Sequence, residues 1–106
     1  RTLTFLFSDI EGSTRLEEAL GTAAYGALRE RHRAILRAAF ARHAGAEQGT
    51  EGDSFFIVFT SAREAIAAAV EAQRGLAAEP WPAEAATLTV QWQAPLTLHW
   101  RPRSML

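Results

Sequence analysis

An apolar run that breaks abruptly on a carboxylate, and then on a small-residue turn, constrains this chain more than any other feature. The run is Thr4-Phe5-Leu6-Phe7-Ser8-Asp9-Ile10-Glu11-Gly12-Ser13-Thr14. Thr2 to Phe7 is rich in β-formers and too short for a stable helix, so it reads as a buried strand. Leu16, Ala19 and Leu20 then recur at helical spacing directly after Thr14. Asp9 is therefore expected at a strand's carboxyl end. The backbone N–H groups of Gly12, Ser13 and Thr14 are expected at a helix N-terminus, where unpaired donors and the helix dipole favour an anion. Such a layout suits a metal-bound phosphate.

A second segment, Gly49-Thr50-Glu51-Gly52-Asp53-Ser54-Phe55-Phe56-Ile57-Val58-Phe59, mirrors the first: a glycine-punctuated turn carries an aspartate into an apolar strand. If Phe55 to Phe59 pairs antiparallel with Thr2 to Phe7, the end of one strand lies beside the start of the other. Asp9 and Asp53 then become neighbours. Two acidic ligands beside a phosphate-accepting turn form a Mg²⁺ site in outline, because Mg²⁺ takes a few carboxylates and completes its shell with phosphate oxygens and water.

Between these segments the pattern is helical. A short helix is expected around Thr14 to Leu20, a break at Gly21, and a long helix from about Ala23 to His43, closed by Gly45. Tyr25, Leu28, His32, Ile35, Leu36, Ala39 and Phe40 supply its apolar side. All eleven basic residues of the chain are arginines, and Arg29, Arg31, Arg33, Arg37 and Arg42 fall in this helix. They read as its solvated face rather than a nucleic-acid surface. His32 is expected to be packed and hydrogen-bonded, and His43 to meet terminal carbonyls. Glu47 to Thr50 reads as a short strand of a hairpin with Phe55 to Phe59. Ser61 to Glu64 has capping-box spacing, and Ala62, Ala65, Ile66, Ala69, Val70, Gln73 and Leu76 form a stripe for a third helix to about Ala78. Pro80-Trp81-Pro82 stops it, and Leu88, Val90 and Trp92 alternate with polar residues as a further strand. This order predicts an α+β sandwich, a largely antiparallel sheet with helices over one face.

The two aspartate segments together resemble the class III adenylate/guanylate cyclase catalytic domain, whose signatures are a Phe-x-Asp-Ile-x-Gly strand end and a later Gly-Asp-x-Phe hairpin. The likeness spans about Thr2 to Val90, and Asp-Ile-Glu-Gly-Ser-Thr-Arg-Leu is especially similar to bacterial cyclase-like domains fused to signalling or regulatory modules. The resemblance implies a ferredoxin-like cyclase sandwich whose C-terminal part is missing, with residues 1–90 as the N-terminal part of the domain and 91–106 as an atypical tail. It implies that Asp9, Asp53 and the Ile10 carbonyl hold two Mg²⁺ or Mn²⁺ ions, and that Gly12, Ser13 and Thr14 cradle phosphate. The implied reaction turns ATP or GTP into a 3′,5′-cyclic nucleotide and pyrophosphate, in a homodimer or with a related cyclase-type chain.

Each residue also has a plainer role open to it. Asp9 fits an Asx turn, Asp53 a hairpin turn, Thr14 with Glu17 a capping box, and Gly12, Gly49 and Gly52 turn geometry alone. Adenylate cyclases carry a base-selecting lysine where this chain has Gly49, and the chain contains no lysine. The segment Gln91 to Arg103 lacks the glycine-rich continuation of the family, and its downstream purine-contacting and Asn…Arg residues have no counterpart, so catalytic and base-selecting residues stay unassigned. A non-catalytic module for nucleotide binding or dimerisation, and an unrelated Mg²⁺-dependent phosphoryl-transfer domain, are the alternatives. The chain starts without Met and is expected to be cut from something longer. With no apolar run near the ~20 residues of a membrane span and no signal peptide, a cytoplasmic location without membrane segments is expected; the lack of cysteine excludes disulfides and thiolate metal sites but identifies no compartment.

Overall fold

A computed structural model describes residues 2–85, 90–93 and 97–99. The first strand, β1 (Thr2–Ile10), continues past Phe7 through Asp9 to Ile10. It alternates cleanly: Thr4, Leu6, Ser8 and Ile10 are buried, while Phe7 and Asp9 on the other face are exposed. The strand outlasts the expected boundary because its last residues have a partner, Asp9 pairing with Gln91 and Ile10 with Val90. Asp9 thus lies within the strand, one residue before its end.

Helix α1 (Ser13–Leu20) starts after Gly12, which takes a left-handed φ of 68°, and no side chain caps it. The capping box of Thr14 and Glu17 is therefore not formed. Helix α2 (Thr22–Arg42) buries Tyr25, Leu28, His32, Leu36, Ala39 and Phe40, the side that periodicity selects. Strands β2 (Ala46–Glu51) and β3 (Ser54–Phe59) form the expected hairpin. Helix α3 (Ala62–Ala78) opens on Ser61, whose hydroxyl accepts from the Glu64 N–H at 3.2 Å. A 3-10 turn (Ala83–Ala85) and strands β4 (Val90–Gln93) and β5 (Thr97–His99) follow.

Every strand pairing is antiparallel, in the order β2-β3-β1-β4, and β5 joins β1 at Thr2–Thr4. Leu6, Phe55, Ile57 and Phe59 of the sheet meet Leu36, Ala39 and Phe40 of α2 and Ala65, Ala68, Ala72 and Leu76 of α3 in one core. This is the α+β architecture expected, with helices on one sheet face. On the opposite face Phe7 stacks flat on Phe56, with centroids 4.6 Å apart, and Phe5 tilts against the same ring at 5.6 Å.

Two local expectations are corrected and one is sharpened. In α3 the buried stripe is Ala65, Ala68, Ala72 and Leu76, while Ile66 and Val70 face outward at 65% and 43% exposure. Small alanines let α3 approach closely, so volume rather than hydrophobicity sets its rotation. At the end of α2 the left-handed residue is Ala44, with φ 59°. Gly45 closes the helix as expected, its N–H donating to the Phe40 carbonyl at 2.8 Å, and it also serves close approach: a Cβ there would lie 2.7 Å from Phe59 Cζ. His43 does not cap carbonyls with its ring; its Nδ1 meets Glu64 at 2.7 Å and its Nε2 meets Glu71 at 3.2 Å. Leu88 and the tail from Trp100 through Arg101 and Arg103 lie outside the described residues. Among the described residues no helix is long and apolar enough to cross a membrane.

Candidate functional site

Antiparallel pairing of β1 with β3, in a register that sets Ser8 opposite Phe55, brings the end of β1 to the β2–β3 turn. Gly52 and Asp53 form that turn, and Gly52 has a φ of 59°. A two-residue hairpin loop needs such a backbone at its first position, and glycine adopts it without strain. Asp9 and Asp53, far apart in sequence, meet here. Ser54, next to the turn, donates its hydroxyl to Asp9 Oδ1 at 3.4 Å.

The electrostatics record the encounter. The Asp9 carboxyl is raised above its ordinary 3.8, first by burial, then by the charge of Asp53 and a shared hydrogen bond with it; Ser54 and the Ile10 N–H oppose the rise. On the helix side, burial and the Asp53 charge push the Tyr25 phenol up, and a hydrogen bond with the Ser13 side chain pulls it down. His32 is wholly buried, with its ring 6.1 Å from that of Phe55. Burial lowers its pKa to about 4; the Asp53 charge works against this and Arg33 adds to it. His32 is packed as expected but not hydrogen-bonded, since neither ring nitrogen has a partner.

These features bear on a metal. Asp53 Oδ2 is buried without a hydrogen-bond partner, and the Asp9 pKa is raised first by burial and then by the Asp53 charge. A divalent cation relieves both conditions by replacing carboxylate repulsion with attraction. The donor set therefore fits Mg²⁺ or Mn²⁺. Among the described residues no three acidic or histidine side chains converge as a cage.

The remaining expected residues follow Asp9 directly. The Ile10 side chain is buried, in the cluster that holds Tyr25, Leu28 and Ala85. Gly12 ends the turn, and Leu16 N–H donates to the Gly12 carbonyl at 3.0 Å. The first-turn N–H groups of Ser13 and Thr14 precede any intrahelical partner and have no side-chain cap, the condition in which a helix start accepts an anion. Tyr25, His32, Arg33 and Ser54 also belong to this neighbourhood. Periodicity places Tyr25 and His32 only on an apolar helix side, Arg33 only on a solvated one, and the serine carries no pattern of its own.

The fold and the sequence have counterparts in known proteins, although no protein-family model matches the chain. Receptor-type adenylate cyclase B of Leishmania donovani is 39% identical over 83 residues, 78% of this chain. The chain spans only 6% of the length of the curated relatives it matches. An adenylate cyclase structure from Trypanosoma brucei superposes with a TM-score of 0.72 at 31% identity, covering 76% of this chain and 34% of that one. The dimeric guanylyl cyclase domain of a fusion protein from the fungus Blastocladiella emersonii shares the fold, with a TM-score of 0.73 at 17% identity over 86% of this chain and 55% of that one. Sequence and fold thus agree, and the chain belongs to the class III adenylate/guanylate cyclases as part of a catalytic domain.

Proposed function

We propose that this chain is the metal- and phosphate-binding part of a purine nucleotidyl cyclase domain, acting on ATP or GTP in intracellular signalling. The observation that carries the reading is the meeting of Asp9 with Asp53, one of whose oxygens is buried and unpartnered. In this reading Asp9, Asp53 and the Ile10 carbonyl hold Mg²⁺ or Mn²⁺, which when bound supplies charge neutralisation at the triphosphate and acidifies the attacking ribose hydroxyl. The N–H groups of Gly12, Ser13 and Thr14 orient phosphate oxygens, and the turn at Gly52 keeps the second carboxylate against the first. The reaction is attack of the ribose 3′-oxygen on the α-phosphorus, with pyrophosphate leaving. Residues 1–90 form the domain's N-terminal part and 91–106 a divergent tail.

Groups aimed at charge developing in the transition state are worth several kcal/mol, about 3–4 for one donor in a well-studied case. By family likeness these include an Asn, and this chain contains no asparagine and no lysine. The chain by itself therefore binds Mn²⁺–nucleotide weakly and turns it over negligibly. A second copy or a related cyclase-type chain covers the sheet face that carries Phe5, Phe7 and Phe56, and only a chain that carries the missing groups completes the site. Its place of work is the cytoplasm. A second reading, a non-catalytic module that binds nucleotide or mediates dimerisation, is favoured by Gly49 at the position of the base-selecting lysine.

Isothermal titration of the folded chain with ATP and with GTP in Mn²⁺ tests the leading reading. Asp9→Ala is expected to remove the metal-dependent part of the affinity; unchanged metal-dependent binding in that variant rejects Asp9 as a ligand. Cyclic nucleotide formed by the chain alone, and lost in both Asp9→Ala and Asp53→Ala, would show that the site is complete without a partner.

A further inference from the structure

We infer that Arg33 of α2 is a positioning residue, which tethers the β2–β3 turn and so aims the Asp53 carboxylate at Asp9. The inference rests on the reading of the two aspartates as metal ligands. The turn itself is a weak platform, since Glu51 and Gly52 are exposed. Arg33 provides what the turn lacks: its Nη2 donates to the Gly52 carbonyl, across 19 residues of sequence. That carbonyl and the Asp53 N–H belong to one planar peptide unit. Holding the carbonyl therefore fixes the plane from which the Asp53 Cα and side chain depart.

The support behind Arg33 is rigid. Its neighbours His32 and Leu36 on α2 are both wholly buried, so the stem of the arginine starts from an immobile helix. Its guanidinium is pinned a second time, with Nη1 donating to Glu30 at 2.8 Å, and its side chain is only 19% exposed. Glu30 balances the charge locally. A planar fork with several donors can hold a carboxylate and a carbonyl at once, which a single ammonium does less well.

Amide hydrogen exchange on the metal-free chain and Mn²⁺ titration by electron paramagnetic resonance test this together. Arg33→Met is expected to speed exchange at Asp53 and Ser54 while leaving β1 and α2 protected, and to weaken Mn²⁺ binding about tenfold, the usual order for loss of an outer-shell partner. Arg33→Lys should recover part of both effects. Unchanged exchange at Asp53 and Ser54 in Arg33→Met, or a rise spread evenly over β1 and α2, overturns the inference. Asp53→Asn separates the two claims. If it binds Mn²⁺ as well as the native chain does, the metal reading fails by itself, and the exchange result still decides the tether.

Discussion

His32 carries the largest electrostatic penalty among the individual residues described. A histidine with no accessible surface and no partner for either nitrogen disfavours its charged form in the folded chain, hence its lowered pKa of about 4. The sign follows. Between the ordinary 6.5 and about 4 the unfolded chain binds a proton that the folded chain refuses, so stability falls as pH is lowered through that window. The full span corresponds to about 3 kcal/mol as an upper bound. His32→Leu, with no proton to refuse, is expected to flatten this part of the curve. Thermal melts of both proteins from pH 7 to pH 4 check it, and parallel curves would mean that His32 is not the group responsible.

Among the elements, the joint between α2 and β2 shows how sequence position and backbone demand can be offset by one residue. Ala44 occupies the left-handed conformation that costs an L-residue about 1–2 kcal/mol, while the glycine beside it fills a spot too tight for a methyl group. Ala44→Gly should therefore raise stability by up to about 1 kcal/mol, and Gly45→Ala should lower it by about 1–3 kcal/mol through overpacking against Phe59 and Ile57. Urea unfolding of the two variants reads both signs. A destabilised Ala44→Gly together with a neutral Gly45→Ala would contradict this account of the joint. In α3, likewise, hydrophobicity alone does not choose the core side, since Ala65, Ala68, Ala72 and Leu76 are buried while Ile66 and Val70 face outward.

At the level of the whole molecule, α2 and α3 cover one face of the sheet, and among the described residues no helix covers the other. The opposite face carries the Phe7–Phe56 stack, with Phe7 42% exposed. If a second cyclase-type chain covers it, Phe7→Arg should lower self-association without loss of helical content. Sedimentation equilibrium compared with far-ultraviolet circular dichroism makes the test, and equal association of both proteins would place the contact elsewhere.

The elements themselves were legible in the sequence because local chemistry specifies them. A continuous apolar run after a glycine turn marks β3, helical spacing selects the buried side of α2, and Ser61 with Glu64 announces the start of α3. Asp9 and Asp53 could be named as partners because two strand-and-turn signatures left few ways to arrange a hairpin beside a strand. What the sequence could not determine depends on distance and space between elements. The extension of β1 to Ile10 required a pairing strand that lies about eighty residues away in sequence. The Arg33 bond to the Gly52 carbonyl has no sequence signal at all, since a main-chain acceptor leaves no side-chain pattern. His32 could be placed on the apolar side of α2 by periodicity, but only the packed interior decided that its nitrogens would find no partner.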